Sequence, residues 1–321
     1  MKLMPRFPIR MLFTWLTGLA GLSLAAVAAS PSLDYWVVDL GTLGGTNSEA
    51  KGINNRGQVV GWAKDPNGRT QAFIWEQGTM TGLGFLTNRW SNSIAMAINN
   101  LGEITGYSSI TVTNEHAFLV RSNLMTDIGT LGGSNSRGYD INDQGEIAGR
   151  SDRYPTNSTP QAFLWSSNRV IYIPTYLYEN TNQFPDPKRE CEARGVSSKS
   201  QVCGFSYYLP ANGSGADWGY VWSDLNTNGT DEYYEMKVLG NMGVSNTWTS
   251  SSGAFGMNDI DQAVGWTYVN AGGNYHAFLV TASNGVWKIP PTEPEGGATS
   301  TNSLMLDLGS LAGASGNSYA N

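Results

Sequence analysis

The chain repeats a set of short motifs in the same order along most of its length. One motif occurs three times, at 39–45 (DLGTLGG), 127–133 (DIGTLGG) and 307–313 (DLGSLAG). Three paired landmarks then follow one another in each of five units. They are Ile53-Asn54, Ile98-Asn99, Ile141-Asn142, Val196-Ser197 and Met257-Asn258; then Val60-Gly61, Thr105-Gly106, Ala148-Gly149, Cys203-Gly204 and Val264-Gly265; then Ala72-Phe73, Ala117-Phe118, Ala162-Phe163, Gly219-Tyr220 and Ala277-Phe278. Self-similarity at this spacing is typical of solenoids and propellers.

The first unit predicts four short β-strands separated by turns. We expect strands at about 49–54, 58–63, 70–75 and 79–83. The segments between them are rich in Asn and Gly, which accept the positive φ angles of tight turns. After the first 28 residues, no stretch keeps a 3.6-residue apolar period for three turns, so the pattern predicts no amphipathic helix.

Units of this length with four strands each are typical of the blades of a β-propeller. A β-solenoid is the alternative, but its coils are usually shorter and more even than these units. We therefore predict an all-β fold, a β-propeller of four-stranded blades with five complete units and a partial one, as a single domain over 29–321. The units lie at about 39–84, 85–129, 130–176, 177–240 and 241–309, with the partial unit at 310–321.

The two ends of the repeat predict a ring that is open or truncated. Residues 35–40 have the sequence of a fourth, outer strand, yet no inner strands precede them. Residues 310–321 repeat the connection between blades. We expect the natural protein to continue for at least one more set of inner strands, with six or more blades. The alternative is a five-bladed ring with one redundant terminal strand.

The first 28 residues have the pattern of a secretory signal peptide. Lys2, Arg6 and Arg10 precede an apolar stretch over 11–27, which ends in the small-x-small sequence at 26–28. An uncleaved membrane anchor is the alternative, although the stretch is short for a bilayer span and contains Thr, Ser and Gly. We expect the protein to be secreted or held on the cell-envelope surface, with no membrane contact after cleavage.

The order DLGTLGG, then Ile-Asn-x-x-Gly-x-Val-x-Gly, then His-Ala-Phe-Leu resembles the bacterial extracellular HAF-repeat family. The His-Ala-Phe triplets that give the family its name lie at 116–118 and 276–278. The resemblance covers essentially the whole chain after the leader. It implies secretion, a propeller-like β-repeat body and no established catalytic residue. The fourth unit departs most, with WGY at 218–220 in place of the triplet.

Composition and repeat positions argue against most catalytic chemistry. The chain has only 2 His and 2 Cys, which disfavours a zinc or di-metal enzyme. His116 and His276 occupy a repeat position that carries Gln in other units, so we expect a strand-end hydrogen bond there rather than catalysis. Asp39, Asp127 and Asp307 recur in the same way and predict turn-stabilising side chains.

One segment matches a calcium-binding loop. The spacing Asp-x-Asn-x-Asn-Gly-x5-Glu places oxygen ligands on alternate residues, and Gly at the sixth position permits the sharp turn. The expected ligands are Asp224, Asn226, Asn228, Thr230, Glu232 and Glu235. Two amide ligands suggest weak binding, at millimolar calcium. The alternative is an Asn- and Gly-rich hairpin turn that holds no ion.

The two cysteines suggest a disulfide. Cys191 and Cys203 both belong to the fourth unit and replace residues of other types at their repeat positions. An oxidising compartment favours a bridge between them. The hairpin register argues against it, because Cys191 would lie about four residues beyond the partner of Cys203, too far to bridge directly.

Tryptophan is abundant, and its positions fall into two groups. Residues at repeat positions, such as Trp62 and Trp266, predict packing between blades. Four tryptophans lie off the repeat positions and are candidates for stacking on sugar rings: Trp36, Trp90, Trp248 and Trp287.

Together these features favour a secreted, non-enzymatic propeller that presents loops for binding a polysaccharide or a surface protein. The formal net charge of −7, made more negative when the basic leader is removed, disfavours a nucleic-acid partner. A glycan-active enzyme is one alternative, with Asp186, Glu190 and Glu192 as its candidate acids. A purely structural surface or matrix component is another.

Overall fold

The computed structural model describes residues 36–89, 92–155, 157–174, 190–208, 216–224, 236–242, 251–269, 274–283, 286–287 and 305–309. All regular structure within these ranges is β-strand. The described residues include no helix long and apolar enough to span a bilayer.

The strands fall into five groups of four in chain order. The first blade contains β1 (Ser48–Ile53), β2 (Val59–Lys64), β3 (Thr70–Glu76) and β4 (Thr79–Gly84). The second contains β5 (Ser93–Ile98), β6 (Ile104–Ser109), β7 (Glu115–Arg121) and β8 (Leu124–Gly129). The third contains β9 (Ser136–Ile141), β10 (Ile147–Tyr154), β11 (Asn157–Ser166) and β12 (Arg169–Ile173). The fourth contains β13 (Cys191–Val196), β14 (Val202–Tyr208), β15 (Ala216–Trp222) and β16 (Met236–Val238). The fifth contains β17 (Ser252–Met257), β18 (Gln262–Tyr268), β19 (Tyr275–Thr281) and β20 (Leu306–Gly309).

Each group forms one antiparallel meander in which every strand pairs with the next along the chain. This is the blade of a β-propeller, and the predicted fold class is confirmed. The strands of the first blade agree with the predicted ones to within one residue at each end. Local turn chemistry explains this accuracy, because Gly57, Gly68 and Gly78 all adopt positive φ at the three turns.

Apolar side chains from consecutive blades join in shared clusters. Val60 and Ala72 of the first blade pack with Ala95, Ile98 and Phe118 of the second. Three further clusters join the second blade to the third, the third to the fourth and the fourth to the fifth in the same way. The Ala-Phe landmark of the repeat is therefore a packing position between blades, which accounts for its small-then-large pattern.

The Ile-Asn landmark supplies a hydrogen-bonded link between neighbouring blades. The Asn54 side chain donates to the carbonyl of Asn99 at 2.9 Å, and Asn99 donates in turn to the carbonyl of Asn142 at 2.9 Å. Asn142 donates to the carbonyl of Ser197 at 2.9 Å. The same side chains accept backbone N–H groups of their own turns, as Asn99 does from Leu101. We call this recurring contact the asparagine link.

The predicted outer strand at 35–40 is not present in residues 36–40. Residues 36–47 form no strand. A strand needs a neighbour with a free hydrogen-bonding edge, and among the described residues the third strand of every blade is already paired with its fourth. Leu40 and Leu43 pack instead against Val59 and Phe73.

Candidate ligand-binding site

The first strand of every blade carries a β-bulge at the same place. The register between the first and second strands shifts by one residue in all five blades. The extra residues are Lys51, Met96, Tyr139, Arg194 and Phe255. A bulge leaves its extra residue out of the ladder and redirects the side chain, so these five side chains are aimed differently from their neighbours.

The bulge also explains why a glycine recurs on the second strand. A Cβ atom added at Gly61 would lie 1.9 Å from the carbonyl oxygen of Glu49, and one added at Gly204 would lie 1.9 Å from that of Glu192. The two strands approach too closely for any side chain there. The next residue on the second strand faces the first strand across the ladder, and its side chain lies beside the bulge.

Arg137 links the second blade to the third near the bulge. Its guanidinium lies 4.4 Å from the ring centroid of Tyr107 and forms an ion pair with Glu115. Tyr107 directly follows the close-approach glycine of the second blade. A planar guanidinium stacked on an aromatic ring gains cation–π attraction while its edge keeps hydrogen-bond donors available.

Glu192 links the third blade to the fourth. It lies between two guanidinium groups, with Arg150 Nη1 at 2.6 Å from Oε1 and Arg194 paired to Oε2. The Glu192 side chain is only 3% exposed, whereas those of Arg150 and Arg194 are 28% and 31% exposed. The buried carboxylate therefore positions two guanidinium groups that still reach solvent.

Arg194, the bulged residue of the fourth blade, is surrounded by three aromatic rings. The distances from its guanidinium carbon to the ring centroids are 4.1 Å for Tyr139, 5.7 Å for Phe205 and 5.6 Å for Phe255. Phe205 and Phe255 meet edge to face at 6.4 Å. These rings come from three consecutive blades, so the contact spans two blade boundaries.

We call this set of side chains the arginine–aromatic belt. It runs from the second blade to the fifth, mainly along the first and second strands, with Glu115 on β7. Some of its contacts cross a blade boundary, as Arg137 does to Tyr107, and others lie within one blade, as between Arg194 and Phe205. Its members are Tyr107, Glu115, Arg137, Tyr139, Arg150, Glu192, Arg194, Phe205 and Phe255.

Three further aromatic residues lie beside the belt in the fifth blade. Trp266, Tyr268 and Tyr275 contact one another edge to face, with ring centroids 5.7 to 6.3 Å apart. Trp266 lies opposite Gly253 on the neighbouring strand. A Cβ atom added at Gly253 would lie 3.2 Å from the indole nitrogen of Trp266, so the glycine leaves room for the indole. All three rings are partly exposed.

Burial and nearby negative charge raise the pKa of Tyr139 and of Asp217 in this region. Burial, reinforced by the negative charge of Glu192, raises the pKa of Tyr139, so the phenol stays protonated and can donate a hydrogen bond. Burial, together with the negative charges of Glu190 and Glu192, raises the pKa of Asp217 to about 6. Asp217 was not among the acids that the sequence suggested.

The belt offers the chemistry of a sugar-binding surface. Aromatic faces stack on the C–H faces of pyranose rings, and guanidinium edges donate to ring hydroxyls or carboxylates. The side chains are held by salt bridges and packing rather than by mobile loops, which favours a preorganised site.

The structure confirms the hydrogen-bonding role predicted for the two histidines. His116 Nδ1 lies 2.7 Å from Asp127 Oδ2, and His276 Nδ1 lies 2.9 Å from Asp307 Oδ2. Asp127 also accepts the N–H of Gly129 at 2.7 Å, as expected for a turn-stabilising residue. In the first blade, Gln71 occupies the histidine position and fills the space beside Gly82.

Two of the four candidate tryptophans lie within the described residues. Trp36 is 86% exposed and stays a candidate for stacking. Trp287 is 7% exposed and belongs to the apolar cluster of the fourth and fifth blades, so its predicted stacking role is wrong. Trp90 and Trp248 lie outside the described residues.

The predicted calcium ligands lie almost wholly outside the described residues. Asp224 is described, at the end of the segment after β15, whereas Asn226, Asn228, Thr230, Glu232 and Glu235 are not. Among the described residues, no group of three or more His, Cys, Asp or Glu side chains converges as metal ligands. The calcium loop stays a prediction.

The predicted disulfide is wrong. Cys191 and Cys203 are both free and buried. Cys191 packs with Ala148 and Ala162 of the third blade, whereas Cys203 packs with Ala254 of the fifth, so the two thiols lie on opposite faces of the fourth blade. Burial raises the pKa of Cys191 to about 12 and also raises the pKa of Cys203, which leaves both thiols protonated and unreactive.

Cys191 replaces a serine that has a structural role in other blades. Ser93 accepts the backbone N–H of Ala72 at 2.9 Å and donates to the carbonyl of Gly84 at 2.7 Å, which joins two blades. Ser136 makes the matching contacts one blade further on. Cys191 forms a hydrogen bond with the backbone of Ala162, which matches the contact of Ser93 with Ala72. The sulfur therefore occupies the position of the serine hydroxyl.

Sequence reasoning missed the belt, although a signal for it exists. The bulged residue follows Ala or Gly in every unit and precedes Gly or Ala in four of the five, in the segments AKG, AMA, GYD, ARG and AFG. Its side chain is large and differs in every unit, whereas its neighbours hardly vary. A large, variable residue within an otherwise regular repeat is the pattern expected of a ligand-contacting position.

Comparisons with known proteins find similarity among solved structures but none in sequence. No protein-family model matches the chain, and no curated protein matches it in sequence. Among solved structures, it is similar to TolB from Acinetobacter baumannii, with 11% identity and a TM-score of 0.43 over 73% of this chain. The matched region spans 52% of the TolB chain. It is also similar to a gluconolactonase from Xanthomonas campestris, with 9% identity, a TM-score of 0.35 and 73% of each chain covered.

A third similarity is to a fungal lectin from Aleuria aurantia, a six-bladed β-propeller that recognises fucose. The identity is 11%, the TM-score is 0.32, and the match covers 79% of this chain and 82% of the lectin.

Proposed function

We propose that this protein is a secreted, non-enzymatic β-propeller that binds a glycan through the arginine–aromatic belt. The observation that carries the proposal is the surrounding of Arg194 by Tyr139, Phe205 and Phe255 from three blades, with Arg194 still partly exposed. The apolar clusters and the buried hydrogen bonds of each joint already hold neighbouring blades together, and the guanidinium groups of Arg150 and Arg194 still reach solvent. The polar and aromatic side chains at the bulge are therefore available for a ligand.

Secretion and family membership belong to the same proposal. The leader over 1–28 supports export, and the repeat order supports membership of the HAF-repeat family. The calcium loop predicted at 224–235 belongs to the proposal as well, as a site whose occupation would stabilise the fourth blade.

A glycan array with the chain lacking residues 1–28 tests the proposal. We expect binding to at least one class of polysaccharide. Arg194→Lys keeps the charge beside Glu192 but removes the planar guanidinium, so it should weaken binding at least about tenfold. Arg121→Ala is the matched control, because Arg121 is 53% exposed and pairs with Glu103 outside the belt.

Two results would contradict the proposal. Binding that is equal in wild type and Arg194→Lys would place the ligand elsewhere. No binding to any glycan would favour the structural-component alternative.

A glycan-active enzyme is a second candidate because of one observation. Asp217 has a pKa of about 6, which suits a general acid near neutral pH. Glu192 is a poor second acid, since its carboxylate is held by Arg150 and Arg194. Release of reducing ends from an array-positive polysaccharide, abolished by Asp217→Asn with binding retained, would establish this second function.

A further inference from the structure

The four joints between blades bury the same two faces each time. One face belongs to the first strand of the later blade, and we call it the entry face. The other belongs to the second strand of the earlier blade, and we call it the exit face. On the entry face, Ala95 and Ile98 of the second blade are 0% and 8% exposed. On the exit face, Val60, Thr105, Ala148 and Cys203 are each 0% exposed.

The entry face of the first blade is uncovered at its inner strand. Ile53 is 69% exposed, whereas its counterparts Ile98, Ile141 and Val196 are at most 8% exposed. Ala50 is exposed as well, although its counterpart Ala95 is fully buried. An apolar position that is buried in the second, third and fourth blades and open in the first indicates that the first blade lacks a neighbour.

The exit face of the fifth blade is also incompletely covered. Val264 is partly exposed, unlike its four counterparts on the other exit faces. Asn258 is exposed, whereas Asn54, Asn99 and Asn142 are buried.

Hydrogen bonding at these two faces is complementary. In the earlier joints the asparagine donates to a carbonyl of the next blade, whereas the Asn258 amide donates to the Gln262 side chain of its own turn. The residue after the asparagine or serine of the link makes a second contact, in which its backbone N–H donates to a side chain of the next blade. The N–H of Asn55 donates to the Asn100 side chain in this way, and the N–H of Ser198 donates to Asp259. A first blade placed against the fifth would offer the Asn54 carbonyl to Asn258 and the Asn55 side chain to the N–H of Asp259.

We propose that a second copy of this chain binds here, with the exit face of its fifth blade against the entry face of the first. The four joints within the chain favour this partner, since in each of them an entry face fits an exit face of this same repeat. The contact is heterologous, so it leaves one entry and one exit face free and can add further copies or close a ring. It does not depend on the proposed glycan site.

Sedimentation velocity of the chain lacking residues 1–28, over a concentration series, tests this interface. We expect a concentration-dependent dimer or larger species. Ile53→Glu places a charge on the entry face and should weaken association at least about a hundredfold. Asn258→Asp keeps the oxygen that caps its own turn but loses the donor, and should weaken association about tenfold. Leu101→Glu is the control, because Leu101 is 64% exposed on a turn.

Mixing the two variants distinguishes this interface from a symmetric one. Ile53→Glu retains an intact exit face and Asn258→Asp an intact entry face, so an equimolar mixture should form dimers that grow no further. Both substitutions are at exposed residues, and circular dichroism of each variant checks that it is folded. A wild type that stays monomeric at all concentrations, or association that neither substitution weakens, would overturn the proposal. Loss of glycan binding with association retained would affect only the proposed function.

Discussion

Removing one asparagine link should destabilise the protein far more than removing the same residue where no neighbour follows. Asn99 is 4% exposed, and its side chain makes four hydrogen bonds. It donates to Glu103 at 2.8 Å and to the carbonyl of Asn142 at 2.9 Å. It accepts the N–H groups of Leu101 at 3.0 Å and of Glu103 at 2.8 Å.

The expected cost follows from these contacts. At about 1 kcal/mol net for each hydrogen bond, Asn99→Ala should lower the free energy of unfolding by about 3–4 kcal/mol. Asn258→Ala is the matched control, since Asn258 caps an equivalent turn with the N–H groups of Ile260 and Gln262. Asn258 is exposed in the single chain, so water replaces these contacts, and at protein concentrations too low for association the cost should be about 1 kcal/mol or less.

Urea unfolding followed by tryptophan fluorescence measures both costs. The difference between the two variants, about 2–3 kcal/mol, isolates the buried link between blades. A difference below about 0.5 kcal/mol would refute the claim that these asparagines join the blades.

Three further predictions concern the cysteines, Asp217 and the calcium loop. Cys191 and Cys203 should both be alkylated after unfolding without reductant, as measured by mass spectrometry. A mass that shows no alkylation would instead show that the two cysteines form a disulfide. Burial has raised the pKa of Asp217, so ionisation costs stability as the pH rises from about 4 to 6. Asp217→Asn should therefore raise the free energy of unfolding by about 1 kcal/mol at pH 7.5, after allowance for solvent screening, and have no such effect below pH 4; an equal effect at both pH values would be inconsistent with the raised pKa. Chelation should lower the melting temperature if 224–235 binds calcium, and Asp224→Ala should remove that difference; equal melts in chelator and millimolar calcium would exclude the site.

The strands were predictable because their determinants are local. Turn residues and short apolar runs within each unit predicted β3 at 70–75, and the structure has it at Thr70–Glu76. The order of the landmarks then predicted the blade, since each unit repeats the same four strands. The prediction of an outer strand at 35–40 failed because such a strand needs a partner from a distant part of the chain. A local sequence pattern does not tell whether a sheet edge is free to pair.

The belt was not predictable from local pattern because it depends on a register shift. A one-residue bulge decides where Arg194 points, and the bulge is set by pairing between two strands. The contact of Arg194 with Tyr139 then joins residues of different blades. The disulfide prediction failed for a related reason, since it weighed the compartment above the alternation of faces along a strand.

Hydrogen–deuterium exchange with an array-identified polysaccharide tests the central claim most directly. If the belt binds the glycan, added ligand should slow exchange in β13 (Cys191–Val196) and β17 (Ser252–Met257), with no change in the outer strand β4 (Thr79–Gly84). Arg194→Lys should abolish the protection, and Arg121→Ala should retain it. Protection confined to outer strands, or unchanged in Arg194→Lys, would contradict the assignment of the belt as the ligand site.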